Sequence, residues 1–166
     1  LFPLSNEAIQ SEIMIAFIDY ILMEYDNAIL NYRKIINKYP SHKDLDYVYY
    51  MIAICNYEQL QNEALDGYYN DLALSSFDQV IKRFPNSKYS KDSRQKIILV
   101  KSNIAAKHME IGRFYLENKK YIAALNRFKI VVDEFSMTKF TPEALHRMVE
   151  VYYEMGMYED LSLIHI

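Results

Sequence analysis

The chain has 166 residues, 51% hydrophobic and 25% charged, and its 19 basic and 22 acidic residues give a net charge of −3. This composition is that of an ordinary globular domain, and no stretch concentrates lysine and arginine as a nucleic-acid-binding surface does. Only three glycines and four prolines occur, so strands and hairpins should be scarce and we predict a nearly all-helical chain.

Three stretches of the sequence repeat one pattern of small and aromatic residues. In each, an aromatic follows an alanine by four residues, as in Ala28 and Tyr32, Ala73 and Phe77, and Ala124 and Phe128. A β-branched apolar pair and a second aromatic close each stretch, at Tyr39, Phe84 and Phe135. The pattern is typical of the second helix of a tetratricopeptide unit. Because one unit cannot bury its apolar face alone, we predict an all-α solenoid of stacked helix pairs.

We predict one domain over residues 1–166 that contains four of these repeats. Repeat 1 spans 5–40, repeat 2 spans 41–85 with a loop insertion at 61–70, repeat 3 spans 86–136 with an extended first helix, and repeat 4 spans 137–166 and is truncated. The insertion follows from the spacing, since Ala28 and Ala73 are 45 residues apart and a repeat needs about 34. The second helix of repeat 2 is then expected from about Asp71.

Caps and breaks place the helices of the first and last repeats. The first helix should run from Glu7 to about Met23, and the second from about Asp26 to Lys38, because Pro40 disfavours helix at the residue before it. In repeat 4, Thr141 is expected to cap a helix that has proline in its first turn and ends at about Met155.

The third repeat contains a long stretch without a helix breaker. From Lys88 to about Glu117 there is no proline and only one glycine, Gly112, so we predict one long helix or two nearly collinear ones. Gly112 precedes Ala124 by twelve residues, just as Ala16 precedes Ala28. At this position the first helix of a repeat needs a small residue so that its partner helix can approach.

Motifs that carry catalysis or bind cofactors are missing from the sequence. It has no phosphate-binding glycine loop, paired-cysteine, metalloprotease or nucleophile-elbow motif. His146 and Glu150, four residues apart, form at most half of a metal site. Cys55 lies in an apolar stretch and is expected to pack as a small hydrophobic residue. We therefore predict a protein without catalytic residues, cofactor or metal.

The first helices of stacked repeats line the concave side, so their exposed residues should form the binding surface. In the first two repeats this projection gives a mostly aromatic groove, made of Ile13, Phe17, Tyr20, Tyr47, Tyr50 and Tyr57. No lysine or arginine lies among these positions, so the groove should suit an aromatic or apolar extended segment rather than a carboxylate clamp. The alternative is that several of these rings are buried between repeats.

Several segments together resemble the BamD (ComL/YfiO) family of outer-membrane assembly lipoproteins of Gram-negative bacteria. They are Leu45–Met51, Ala64–Tyr69, Phe84–Tyr89 and the long helix that follows. The resemblance implies a periplasmic scaffold at the outer membrane, which meets the membrane only through a lipid anchor upstream of Leu1. Its implied partners are the periplasmic domains of BamA, other Bam lipoproteins and unfolded outer-membrane proteins. No nucleic-acid partner is expected, because the sequence has no basic stretch.

The resemblance also indicates where partner proteins bind. Asn126 and Arg127 match an Asn-Arg pair of the family, so Arg127 is expected to contact BamA, although a solvated helix arginine would give the same sequence. Arg113 and Glu150, which project from the first helices of repeats 3 and 4, are expected on the same surface. The ending from Leu161 departs from the alanine-rich helix of the family.

Three other functions are compatible with helical repeats. A periplasmic cell-division coordinator of the CpoB kind has evenly spaced repeats, unlike the spacings of 45 and 51 residues seen here. A co-chaperone that binds charged C-terminal peptides would need a basic clamp. An enzyme would need a catalytic domain outside the sequence.

Overall fold

The computed structural model describes residues 6–62 and 67–157, and every regular element in these ranges is an α-helix. The helices are α1 (Asn6–Ile21), α2 (Tyr25–Lys38), α3 (Leu45–Asn62), α4 (Gly67–Arg83), α5 (Lys88–Glu117), α6 (Tyr121–Glu134) and α7 (Thr141–Glu154). The predicted all-α fold of consecutive helix pairs is confirmed.

Consecutive helices pack against one another within two compact units, residues 1–100 and 101–166. In the first unit α1 packs on α2, α2 on α3 and α3 on α4; in the second, α6 packs on α7. Each unit has its own hydrophobic core. The division into four repeats of one domain stays a prediction.

The alanine and aromatic pattern marks the centre of the helix packing. Ala28, Ala73 and Ala124 are each 0% exposed, and so are the aromatics four residues later, which are Tyr32, Phe77 and Phe128. Residues four apart lie on one face of a helix, so each pair points at the same neighbour. The alanine of each pair allows the neighbouring helix to approach closely, and the aromatic ring fills the space beside the alanine.

The long helix predicted in the third repeat, as one element or two nearly collinear ones, is a single element, because α5 runs unbroken for 30 residues. The Oγ of Ser87 accepts the backbone N–H of Tyr89 at 3.1 Å, as a capping serine does. The same hydroxyl donates to the carboxylate of Asp46 on α3 at 2.6 Å. The start of α5 is therefore fixed both to its own backbone and to α3.

Three helices end in the same backbone turn. After α1, α5 and α7 one residue has a positive φ, namely Met23 (62°), Lys119 (56°) and Gly156 (72°). In each turn the N–H of this residue and that of the next bond back to carbonyls of the last helical turn, at 2.9 to 3.0 Å. This is the Schellman arrangement, which favours glycine at the left-handed position.

Two local predictions are wrong. The predicted loop at 61–70 is shorter than expected, because α3 continues to Asn62 and α4 already begins at Gly67. Thr141 does not cap α7: it is the first helical residue, and its hydroxyl donates to the carbonyls of Phe135 and Ser136. The rest of the insertion, residues 63–66, and the truncated end of repeat 4 from 158 lie outside the described residues.

Candidate functional site

The predicted groove residues of α3 face the first half of α5. The Tyr50 ring stacks on Tyr89, with centroids 4.9 Å apart, and its hydroxyl donates to Asp92 at 2.5 Å. Tyr47 lies 5.6 Å from the same Tyr89 ring. Burial and the hydrogen bond to Asp92 raise the pKa of Tyr50. These two rings are half-buried in helix packing, as the alternative interpretation of the groove expected.

Tyr57, two turns further along α3, has a different environment. Its ring packs edge-on against Phe77 at 6.2 Å, and the ammonium nitrogen of Lys96 lies 4.6 Å from its centroid. Both Tyr57 and Lys96 keep part of their surface exposed. A cation over a ring face is attracted by the negative charge of that face. This part of the groove is therefore aromatic and positively charged.

The predicted groove residues of α1 divide between core and surface. Ile13 is only 8% exposed and packs in the core, so it is not accessible to a ligand. Phe17 and Tyr20 are half-buried with centroids 5.9 Å apart, and Tyr25 continues the row 6.0 Å beyond Tyr20. Burial and the negative charge of Glu58 raise the pKa of both tyrosines. The negative charge of Glu58 on α3 therefore acts on this row of rings.

The charged residues of this surface, Asp92 and Lys96, could not be predicted from helical spacing alone. Tyr89, Asp92 and Lys96 are three and four residues apart, so they lie on one face of α5. That periodicity is visible in the sequence, but nothing local indicates that this face packs on α3. The prediction considered only positions of α1 and α3 for this part of the groove, and the structure adds Lys96 of α5 beside Tyr57.

The second unit carries a network of ion pairs between the end of α5 and α7. Arg113 pairs with Glu143 at 2.9 Å, and Arg147 pairs with Glu150 at 2.8 Å. Arg147 also lies 3.9 Å from Glu143, and His146 lies 3.4 Å from Glu150. The predicted contact residues Arg113 and Glu150 thus belong to one network, which Arg147 and Glu143 connect.

Arg127 lies on α6 and joins none of the ion pairs found among the described residues. Its positive charge acts on His108 of α5, whose pKa is lowered by burial and by Arg127. The imidazole of His108 stacks on Phe135, with centroids 6.1 Å apart. Among the described residues, Arg127 is therefore not a member of the ion-pair network that holds Arg113 and Glu150.

The described residues, 6–62 and 67–157, contain neither a cluster of metal ligands nor a helix that could span a membrane. No group of three or more metal-binding side chains occurs in these ranges. None of the helices there is both long and apolar enough to cross a bilayer.

Comparison with known proteins identifies the family to which this chain is similar. The model of the family described as YfiO, outer membrane lipoprotein, matches residues 1–162. A Caulobacter vibrioides protein named outer membrane protein assembly factor BamD is 37% identical over 158 residues, which are 95% of this chain and 52% of the relative. A Rickettsia prowazekii protein of the same name is 38% identical over 151 residues, 91% of this chain and 60% of the relative. The chain thus spans little more than half the length of these two curated relatives.

Proposed function

The chain belongs to the YfiO family of outer membrane lipoproteins, and from this membership we propose that it is a non-enzymatic scaffold of the β-barrel assembly machinery. The observation that carries the proposal is the family match over 1–162, together with relatives that are named assembly factors. The stacked helix pairs support it, because such repeats expose extended surfaces suited to binding other proteins.

The partner on the second unit is proposed to be BamA, contacted through its periplasmic domains. Arg127 supports this role because the residue keeps part of its surface exposed and joins none of the ion pairs of the described chain. Its planar guanidinium suits a carboxylate or backbone carbonyls on another protein. Arg113 and Glu150 already form ion pairs with Glu143 and Arg147. They are therefore proposed to shape the surface next to the Arg127 contact with BamA. Other Bam lipoproteins are proposed as further partners.

Unfolded outer-membrane proteins are proposed to bind the first unit. The support is three half-exposed rings of α1 and α3, Phe17, Tyr20 and Tyr57, whose apolar faces suit an extended aromatic segment. The place of action is proposed to be the periplasmic face of the outer membrane, with anchoring through a lipid upstream of Leu1.

The direct test is calorimetry of the 166-residue protein with the periplasmic domains of BamA from the same organism. The proposal expects saturable binding of defined stoichiometry, and a complex that co-elutes in gel filtration. Circular dichroism first establishes that the protein is helical under the conditions used. If a folded sample neither releases heat nor co-elutes at any accessible concentration, the proposed role as a BamA-binding scaffold is wrong.

A further inference from the structure

The second unit contains a groove between the end of α5 and α7, beside the first residue of α6. Its volume is about 540 Å³, a size typical of pockets that bind a ligand. The apolar part of its lining is formed by Leu116, Tyr121, Val149 and Tyr153. Tyr153 is 62% exposed, so the groove opens to solvent at this ring. The groove is therefore an accessible apolar surface.

The charges of this groove are mostly negative. Its charged lining residues are Glu117, Lys119, Glu150 and Glu154. Arg147 already neutralises Glu150, at 2.8 Å. The carboxylates of Glu117 and Glu154 join none of the ion pairs found among the described residues. Two of the three carboxylates thus lack a cationic partner in the described chain.

These two carboxylates come from the two helices that flank the groove. Glu154 is the last residue of α7, and one of its oxygens accepts the hydroxyl of Tyr121 at 3.3 Å. A carboxylate can accept about four hydrogen bonds, so most of its capacity remains unused. Glu117 is the last residue of α5 and is exposed. The groove therefore offers acceptors on both sides of an apolar floor.

This combination suits the side chain of an arginine. Its long stem packs along apolar surface while its charged end stays at the polar edge. The guanidinium is attracted by the face of an exposed ring such as that of Tyr153. Its five N–H donors lie in one plane and can bond to two carboxylates at once, which the point charge of a lysine does less well.

We propose that this groove binds an arginine side chain from an extended segment of a partner protein. Glu117 and Glu154 accept the guanidinium, and the apolar neighbours of the arginine pack beside Tyr153. The site requires a cation on the partner, whereas the contact proposed for Arg127 requires an acceptor. The groove thus goes beyond the proposed binding of BamA, and either proposal can fail without the other.

The experiment compares two synthetic peptides, acetyl-Ser-Leu-Arg-Leu-Ser-amide and the same peptide with citrulline in place of arginine. Citrulline keeps the length of the side chain and removes its charge. Binding to the isotope-labelled 166-residue protein is followed by chemical shifts in two-dimensional NMR spectra at low salt. The arginine peptide should shift the resonances of the groove residues on α5 and α7. It should bind about fivefold more tightly than the citrulline peptide, as expected for two partly exposed ion pairs.

Variants of the two glutamates assign the preference to the groove. Glu117→Gln and Glu154→Gln should each reduce it to about twofold, and the double variant should bind both peptides equally. Glu110→Gln is the matched control, since Glu110 lies exposed on α5 two turns before Glu117 and its replacement removes the same charge. It should keep the full preference for arginine.

Equal binding of the two peptides to the wild-type protein overturns the proposal. So does a Glu110→Gln variant that loses as much preference as Glu117→Gln, because that result indicates general attraction between opposite charges. Shifts confined to residues outside the groove, or no shifts in a folded sample at millimolar peptide, show that the groove is not a binding site for arginine.

Discussion

The ring of Phe128 on α6 lies so close to Gly112 on α5 that a Cβ added at the glycine would be 2.5 Å from it. Two further ring atoms would lie within 2.9 Å. The helices of this pair can approach only because residue 112 has no side chain. The expectation that this position must be small, drawn from its distance to Ala124, is confirmed.

Gly112→Ala should therefore destabilise the protein, although alanine is the better helix former by about 1 kcal/mol. Phe128 is fully buried, so its ring has no free space to enter, and overpacking costs about 1–3 kcal/mol. Urea unfolding followed by circular dichroism measures the difference. Adding Phe128→Leu to Gly112→Ala should recover part of the loss. A stabilised Gly112→Ala variant would show that the ring moves away freely.

The left-handed residue after α5 offers a stabilising change. Lys119 holds a φ of 56°, which costs a side-chain-bearing residue about 1–2 kcal/mol, so Lys119→Gly should raise the free energy of unfolding by about 1 kcal/mol. Gly156 has a φ of 72° and nothing within 4 Å of an added Cβ. Gly156→Ala should thus destabilise through the backbone alone.

Lys120→Gly is the control for this pair of variants, because Lys120 has a φ of −90° and gains nothing from glycine. Thermal unfolding measures the stability of Lys119→Gly, Gly156→Ala and Lys120→Gly relative to the wild-type protein. A Lys119→Gly protein no more stable than Lys120→Gly would contradict the role assigned to the turn.

His108 should make stability depend on pH. Burial and Arg127 lower its pKa below the ordinary value of 6.5, so the unfolded state binds the proton more tightly than the folded state. The free energy of unfolding therefore decreases as pH falls below about 6.5, because protonation of His108 favours the unfolded state. The slope is at most about 1.4 kcal/mol per pH unit. Lys107 acts in the same direction as Arg127, and Glu134 opposes them.

Unfolding experiments between pH 8 and pH 5 should show a smaller loss of stability in His108→Gln than in the wild-type protein. His146→Gln is the control, because His146 is exposed on α7. An identical pH profile for wild type and His108→Gln would mean that this imidazole titrates alike in both states.

Arg127→Glu should weaken binding to the periplasmic domains of BamA by at least about tenfold, because it replaces a charged donor with a repelling group. The measurement is calorimetry at pH 8, where His108 is neutral and the variant should stay folded. Lys129→Glu, an exposed site two residues away, makes the same change in charge. If both variants bind as tightly as the wild type, Arg127 is a solvated helix residue.

Local signals in the sequence were enough to predict most of the helices. Pro40 ends the second helix near Lys38, and the absence of proline keeps α5 in one piece. The beginning of α4 was mispredicted because Gly67, Tyr68 and Asn70 resemble a loop, whereas in the structure they form its first turn. Tertiary packing overrides such weak local preferences.

The proposed binding surface was predicted less completely than the helices, since it depends on which helices pack against each other. Helical periodicity predicted Tyr20 and Tyr57 for this surface, and in the structure both rings are half-buried beside other aromatic rings. It could not show that Ile13 is covered by the core, nor that Lys96 reaches across to Tyr57. Both facts depend on contacts between residues far apart in the chain.

Cys55, the one cysteine of the chain, is free and 0% exposed. Burial raises the pKa of its thiol to about 12, so almost none of it is thiolate at neutral pH, and the thiolate is the form that reacts. Maleimide reagents, including dyes and crosslinkers attached through a maleimide, should leave the folded wild-type protein unmodified. Probes can thus be attached at single introduced cysteines without first removing the native one.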